Sequence, residues 1–192
     1  MTQITWIRHG NTQWNVEKRA QGHTNNPLNE AGFAQARAVA ARLAGEVWDV
    51  MYASDLLRAK QTAEHIAEAA GIPVIHYDVR LREVHGGLIE GTTEEERLQR
   101  WGSDWRSRTD LNTETPEESA KRGGAFVAEL EERHPGGRIL IVSHGAIIRR
   151  TLHGLIPDIA TDRPLSNTSV TVISKAGDRW QYDLYDSTTH LD

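Results

Sequence analysis

The feature that most constrains this chain occurs twice. Ile4-Thr5-Trp6-Ile7 is a short, uncharged run of β-branched and aromatic residues and reads as a buried strand. It runs straight into Arg8-His9-Gly10, where glycine permits a sharp turn. Far downstream, Arg138-Ile139-Leu140-Ile141-Val142-Ser143 is a second apolar strand; it ends in His144-Gly145 and leads into the helical start Ala146-Ile147-Ile148. If the two strands are parallel neighbours, His9 and His144 meet at one edge of a sheet, at the strands' carboxyl ends. In open α/β sheets that edge is where ligands bind. Taken singly, a histidine at a strand end is more often a hydrogen-bonded turn residue than a catalyst; the repetition favours the functional reading.

Between and around these strands the chain alternates. Residues 16–21 form a short polar connection, and 22–27 are dense in turn residues. Asn29 is placed to cap a helix over 30–43, with Phe33, Ala36, Ala40 and Leu43 on its apolar face and Gly45 beyond its end. A second strand is expected over 47–52. Ser54 or Asp55 is expected to cap an alanine-rich helix that runs to Ala70 and stops at Gly71 and Pro73. A third strand follows over 73–76. Residues 81–91 are a glycine-rich loop carrying Glu83 and Glu90. Thr92 with Glu95 reads as a capping box for a helix to Trp101, and Thr115-Pro116-Glu117-Glu118 as another for a helix to about His134. A helix over 146–153 should close at Gly154, and 167–174 and 180–185 alternate as strands around a Gly177-Asp178 turn. The pattern predicts a three-layer α/β/α sandwich. One domain over 1–192 is expected, with 85–115 as a lid or insertion.

Composition narrows the chemistry by exclusion. There is no cysteine in the 192 residues, which removes disulfides, thiolate metal sites and cysteine nucleophiles. A net charge of −5 argues against a general nucleic-acid binder, so an anion site must be a local cluster of cations. No stretch approaches a membrane span, and no basic segment followed by an apolar run opens the chain. A soluble, cytoplasmic protein is expected.

Arg8, His9, Arg58 and His144 are the cations and imidazoles expected at the carboxyl edge. Arg58 falls in the first turn of its helix, where a cation opposes the helix dipole and so hints at an anion to serve, although a solvated surface arginine is an equal reading. Two guanidiniums in one pocket suit a phosphate dianion. They also favour a neutral His9, because like charges disfavour the imidazolium. A neutral imidazole is a nucleophile, so the arrangement suggests in-line attack on phosphorus and a phosphohistidine. His144 and the arginines would stabilise the equatorial oxygens. Glu83 is the candidate acid for the leaving alcohol and then the base for water, with Glu90 second. No pair among the nine histidines has a ligand spacing on one helix, and the arginines would repel a cation. Neither a metal nor another cofactor is expected.

The ordered set of motifs resembles a known family over nearly the whole chain. It comprises Arg8-His9-Gly10-Asn11-Thr12 with Asn15 and Gly22, Pro27-Leu28-Asn29-Glu30-Ala31-Gly32 with Gln35-Ala36, and Ser54-Asp55-Leu56-Leu57-Arg58-Ala59 with Gln61-Thr62-Ala63. Leu81-Arg82-Glu83 with Gly87, Glu90 and Gly91 follows, then Val142-Ser143-His144-Gly145 and Asn167-Thr168-Ser169. Together they resemble the histidine phosphatase superfamily in its phosphoglycerate mutase-like branch. The resemblance implies a mixed, mostly parallel sheet flanked by helices. It implies His9 as the phosphorylated nucleophile, Glu83 as proton donor, and Arg8, Arg58 and His144 around the phosphate. Thr12, Asn15, Gln21, Gly22 and Gly145 complete the implied phosphate- and substrate-binding set.

Within that resemblance a phosphatase is favoured over a mutase. Mutases of this type carry an arginine and a tyrosine just after the acidic residue, where this chain has Val84 and Gly86. They also carry a longer basic insertion, for which Arg100, Arg106 and Arg108 are the only stand-ins here. The expected activity is therefore a phosphomonoesterase acting on a small phosphorylated metabolite, with no nucleic-acid or membrane partner and a homodimer left open. The alternatives are a phosphoglycerate mutase or a non-catalytic phospho-ligand binding module; a plain nucleotide-binding domain lacks any glycine-rich phosphate loop. Trp14, Glu17, Lys18, Arg19, His23 and the 97–108 stretch are the expected rim. Trp101 and Trp105 read as lid packing rather than substrate stacking. His65, His76, His85, His134, His153 and His190, and His23 apart from its place on the rim, read as structural or surface.

Overall fold

Residues that are apolar on both faces of a strand must be covered on both faces. In the computed structural model, which describes residues 1–157 and 163–192, β1 (Gln3–Arg8) and β4 (Arg138–Ser143) are buried along nearly their whole length. They lie side by side and parallel, with Ile4 opposite Ile139 and Arg8 opposite Ser143. With β2 (Val50–Ala53), β3 (Ile75–Tyr77), β5 (Val170–Ala176) and β6 (Arg179–Ser187) they form one six-stranded sheet in the order β3-β2-β4-β1-β5-β6. The first four strands in that order are parallel, and β5 runs antiparallel to both β1 and β6. The sheet is mixed, as the resemblance implies.

The helices are α1 (Gln13–Val16), α2 (Glu30–Leu43), α3 (Leu57–Ala70), α4 (Glu94–Trp101), α5 (Pro116–Arg133) and α6 (Gly145–Leu155). One face of the sheet offers Ile7, Met51, Leu140 and Val142 to Val39 and Leu43 of α2 and Ala63 and Ile66 of α3. The other offers Ile4, Trp6, Ile139 and Ile141 to Phe126 and Leu130 of α5 and Ile148 and Leu152 of α6. Two cores on opposite faces make the predicted three layers. Among the described residues no helix is long and apolar enough to cross a membrane.

Several element edges differ from the sequence reading, each for a local reason. β2 begins at Val50, where pairing with Ile139 starts, and Val47 is 75% exposed. β3 begins after Pro73, which has no N–H to give to a ladder. Neither Ser54 nor Asp55 caps α3: Leu56 is the N-cap residue, and the Leu57 N–H donates instead to Asn25 Oδ1 at 2.7 Å. Thr93 and Glu96 form the capping box of α4, because the Thr92 hydroxyl donates back to Ile89 O at 2.5 Å. On α2, Val39 is buried and Phe33 only half-buried. α1 precedes the expected polar connection and overlaps it at Val16, and α6 starts one residue early and continues through Gly154.

The start of α2 is pressed against the loop that follows β1. A Cβ on Gly32 would sit 2.0 Å from Asn11 O, whereas one on Gly124 of α5 would meet nothing within 4 Å. Gly32→Ala should therefore destabilise the fold by about 1–3 kcal/mol, read as a fall of several degrees in thermal midpoint. Gly124→Ala should leave the midpoint unchanged or raise it slightly. Equal midpoints for the two variants would contradict this packing.

Candidate active site

The parallel pairing of β1 and β4 delivers Arg8, His9 and His144 to one edge of the sheet, and the first turn of α3 adds Arg58. His9, Arg58 and His144 are all buried. The His9 and His144 rings lie 5.1 Å apart between centroids. His9 Nδ1 is 2.7 Å from the carbonyl of Gly10. A carbonyl only accepts, so Nδ1 carries the hydrogen and Nε2 of the neutral ring keeps its lone pair. Burial, then the charges of Arg58 and Arg8, push the His9 pKa well below the ordinary imidazole value. Burial, then Arg58, does the same to His144.

Among the described residues, three buried nitrogens at this edge have no hydrogen-bond partner. Arg58 gives Nη1 to Thr24 O at 2.8 Å and Nη2 to Gly22 O at 2.9 Å, yet its buried Nε is unpartnered. Burial lowers the Arg58 pKa to about 10, so the group stays charged at neutral pH. Arg8 donates Nη1 to Leu165 O, and its Nε is likewise buried without a partner. His144 Nε2 lies 2.8 Å from Ser54 Oγ, while Nδ1 is buried and unpartnered. Buried polar groups in a folded protein are nearly always satisfied. Two guanidinium nitrogens and one imidazole nitrogen left without partners at one edge are groups that suit the oxygens of an anion.

The two candidate acids differ sharply. Glu83 sits at the N-terminus of α6: Oε1 accepts from Val84 N at 2.8 Å and Ile147 N at 3.0 Å, and Oε2 from Ala146 N at 3.2 Å. Its charge acts on both Arg8 and Arg58. Glu90 is instead a brace. Its Oε1 accepts from His23 N and Gly86 N, and its Oε2 from Thr24 N and the Thr24 hydroxyl, at 2.7–3.0 Å. Burial alone would raise the Glu90 pKa, but these donated bonds outweigh it and hold the carboxyl below its usual range. The geometry thus separates Glu83 from Glu90.

The remaining members of the expected set knit the loop after β1. The Thr12 hydroxyl lies 3.1 Å from Asn15 Oδ1 and 3.0 Å from Gln21 Oε1, and Thr12 is fully buried. Gly22 contributes the carbonyl that holds Arg58, and Gly145 opens α6 beside Arg8. Sequence reasoning assigned no role to several supports, although Asn167 and Thr62 stand within the motifs. Asn167 donates Nδ2 to His9 O at 2.9 Å, and the Thr62 hydroxyl accepts from Gly10 N at 3.0 Å. Ser54, read as a helix cap and as the first residue of a motif, touches His144; its place just after β2, at the same edge, was the available signal. Arg122, from mid-α5, donates to the carbonyls of Arg80 and Arg82 and pairs with Glu114 at 2.7 Å, so it holds the strand of chain that presents Glu83; nothing local in the sequence marks it.

The expected rim is largely self-paired. Arg19 pairs with Glu17 and Glu96, Arg106 with Glu94, and Arg108 with Asp110. Trp105 donates to Glu94 and is flanked by Arg97 and Arg106 within 5 Å of its ring, a packing role. His23 donates Nε2 to Glu83 O at 2.8 Å, so it supports the loop of Glu83 rather than lying idle at the surface. A cavity of about 350 Å³ lined by Trp48, Asp49, Ile72, Pro73 and His76 lies at the opposite end of β2, away from Arg8, Arg58 and His144. Chemistry, not cavity size, assigns the site. Among the described residues no group of three or more His, Cys, Asp or Glu could hold a metal ion.

An anion that completes the three orphan donors must stabilise the fold that presents them. Saturating inorganic phosphate, at about 100 times its dissociation constant, should add about 2.7 kcal/mol, visible as a rise of several degrees in thermal midpoint. Arg58→Ala should abolish most of that rise, and a full rise in this variant would place the anion elsewhere.

Comparison with known proteins agrees with this geometry. The family model described as histidine phosphatase superfamily (branch 1) matches residues 4–188. The uncharacterized phosphatase PhoE of Bacillus subtilis is 34% identical over 197 residues, covering 100% of this chain and 97% of that protein. A Shigella boydii protein named "Probable phosphoglycerate mutase GpmB" is 34% identical over 196 residues, covering 94% of this chain and 88% of its own length. Among solved structures, a phosphoserine phosphatase mutant from Entamoeba histolytica in complex with phosphoserine superposes with a TM-score of 0.86 at 30% identity, covering 100% of both chains. With a matching model over nearly its full length and relatives above 30% identity, the chain belongs to the histidine phosphatase superfamily, branch 1.

Proposed function

We propose that this chain is a metal-independent phosphomonoesterase that hydrolyses small phosphorylated metabolites through a phosphohistidine on His9. The observation that carries the proposal is the neutral, Nδ1-protonated His9 beside three unpartnered donors, Arg8 Nε, Arg58 Nε and His144 Nδ1. His9 Nε2 attacks phosphorus in line, and the P–O bond to the alcohol breaks as the N–P bond forms. The donors stabilise negative charge on the equatorial oxygens. Glu83 in its carboxyl form, protonated from solvent or by the bound monoester, gives its proton to the departing alkoxide, and the carboxylate left behind takes a proton from the water that cleaves the N–P bond. Inorganic phosphate leaves, and His9 is neutral again.

Relatives named as phosphatases, one of them bound to phosphoserine, support a phosphorylated small molecule as substrate. Two of the three arginines that could stand in for a mutase's carboxylate-binding insertion, Arg106 and Arg108, are already paired within the chain, which supports hydrolysis over phosphoryl exchange. The 85–115 excursion serves as the cover of the site, pinned to the loop after β1 by Arg19 and Glu96 at 2.9 Å. The lack of cysteine fits work in a reducing compartment, and cytoplasmic phosphometabolites are the proposed substrate pool.

The central test is release of inorganic phosphate from a panel of metabolite monoesters, 3-phosphoglycerate included, with a chelator present. Steady release is expected; isomerised 3-phosphoglycerate without release would instead identify a mutase. His9→Ala should abolish turnover while retaining the fold. Glu83→Gln should slow alkyl phosphates by roughly 10²–10⁴-fold and aryl phosphates far less, because only alkoxides need the proton. Comparable losses on both substrate types would remove the acid role.

The pH profile follows from the buried imidazoles. Protonation of His9 removes its lone pair, so activity is lost on the acid side of its pKa. That pKa lies well below the ordinary imidazole value near 6.5. The acid limb of kcat/KM, corrected for the substrate's own ionisation, should therefore lie below pH 6.5. A limb centred at or above 6.5 would contradict a neutral nucleophile at rest.

A further inference from the structure

The assignment of His144 as a donor to the phosphoryl group leaves open what fixes the position of its single hydrogen. A neutral imidazole has one N–H, on either nitrogen, and only the nitrogen without a protein partner is left for a phosphoryl oxygen. That nitrogen is Nδ1, which is buried and unpartnered. Were the hydrogen on Nε2, Nδ1 would meet the phosphate with a lone pair and repel it.

Ser54 settles the choice through its own hydrogen-bond balance. Its Oγ accepts from the Leu56 N–H at 3.3 Å and lies 2.8 Å from His144 Nε2. A hydroxyl has one hydrogen, and Ser54 is fully buried, so no bulk water can take it. Among the described residues its side chain has only these two contacts, and one of them is already a donor to it. The hydroxyl hydrogen therefore goes to His144 Nε2, which must be the lone-pair nitrogen. The reverse arrangement would strand a buried hydroxyl hydrogen and a buried imidazole lone pair together, and each such group is costly to leave unmade.

We infer that Ser54 is a positioning residue: by donating to His144 Nε2 it holds His144 in the Nδ1–H tautomer and so aims a hydrogen-bond donor at the phosphoryl oxygens. The inference rests on the phosphatase reading for its catalytic meaning, but the tautomer itself does not depend on it. The loop that makes the contact is held independently. Ser54 N donates to Val142 O at 3.0 Å, which ties the end of β2 to β4 one residue before the strand's end. Asp55, next in sequence, accepts from Arg82 at 2.7 and 2.6 Å. Ser54 thus reaches His144 from a fixed backbone.

The test is a long-range ¹H–¹⁵N spectrum of the imidazoles in the wild-type protein at pH 7.5, with His144 assigned by its loss in His144→Gln. The expected pattern is a protonated Nδ1 and an unprotonated Nε2, with the Nδ1–H signal moving when inorganic phosphate is added. A protonated Nε2 overturns the inference. Ser54→Ala should release the tautomer to a mixture and lower kcat/KM by roughly tenfold or more, and Ser54→Thr, which keeps the hydroxyl, should restore both. An unchanged tautomer and full kcat/KM in Ser54→Ala also overturn it. Should Ser54→Ala fail to fold, the wild-type spectrum still decides. Failure of the phosphatase reading is separately visible, as an Nδ1–H tautomer in a protein that releases no phosphate from the panel.

Discussion

The parallel register of β1 against β4 is the contact on which the site depends. Because Arg8 lies opposite Ser143, the next residue of each strand is a histidine, and both histidines leave the sheet at the same height. A slip of one residue would turn every apolar side chain of either strand to the opposite face and separate the imidazoles. The apolar residues on both faces of these strands forbid that slip, since each face is packed against its own helical layer. Core packing and site geometry are thus one constraint rather than two.

Around that pair the protein keeps positive charge where water cannot reach. Arg58 is completely buried and is held by two backbone carbonyls rather than by a carboxylate. This matters chemically. A carboxylate partner would neutralise the guanidinium and compete with any incoming anion, whereas carbonyls orient it and leave its charge unspent. The carbonyl oxygens come from Gly22 and Thr24, and Glu90 fixes that loop by accepting from Thr24 and His23. Glu90 is therefore an element of the arginine's support.

Sequence legibility followed how local the cause was. The Asn29 cap of α2 and the Thr115–Glu118 box of α5 could be read because their residues satisfy groups within four positions of themselves, and β1 and β4 because each is a nearly unbroken apolar run. The start of α3 could not, because its orphan N–H is taken by Asn25, thirty-two residues away, and the obvious capping side chains are engaged by His144 and Arg82. The same rule governs the site. Arg8, His9 and His144 announce themselves by their motif, and Arg58 by its awkward place at a helix start. Asn167 and Thr62 stand within the motifs, but their contacts, like those of Arg122, are created by folding, so no spacing gives their roles.

The neck of the 85–115 excursion carries a consequence of its own. His85 and Glu114 pair through both backbone and side chain, at 2.9 and 3.1 Å, so the chain leaves and re-enters the body at nearly one point. Arg122 clamps that point by binding Glu114 on one side and the carbonyls ahead of Glu83 on the other. The stretch between the two ends of the neck can lengthen, shorten or change character without moving Glu83, because closing a longer loop across a fixed base adds little free energy. On the proposed phosphatase reading, the architecture separates a constant reaction centre from an exchangeable selector. Divergence of substrate preference among proteins built this way can then proceed by replacing the selector, while the chemistry is inherited intact.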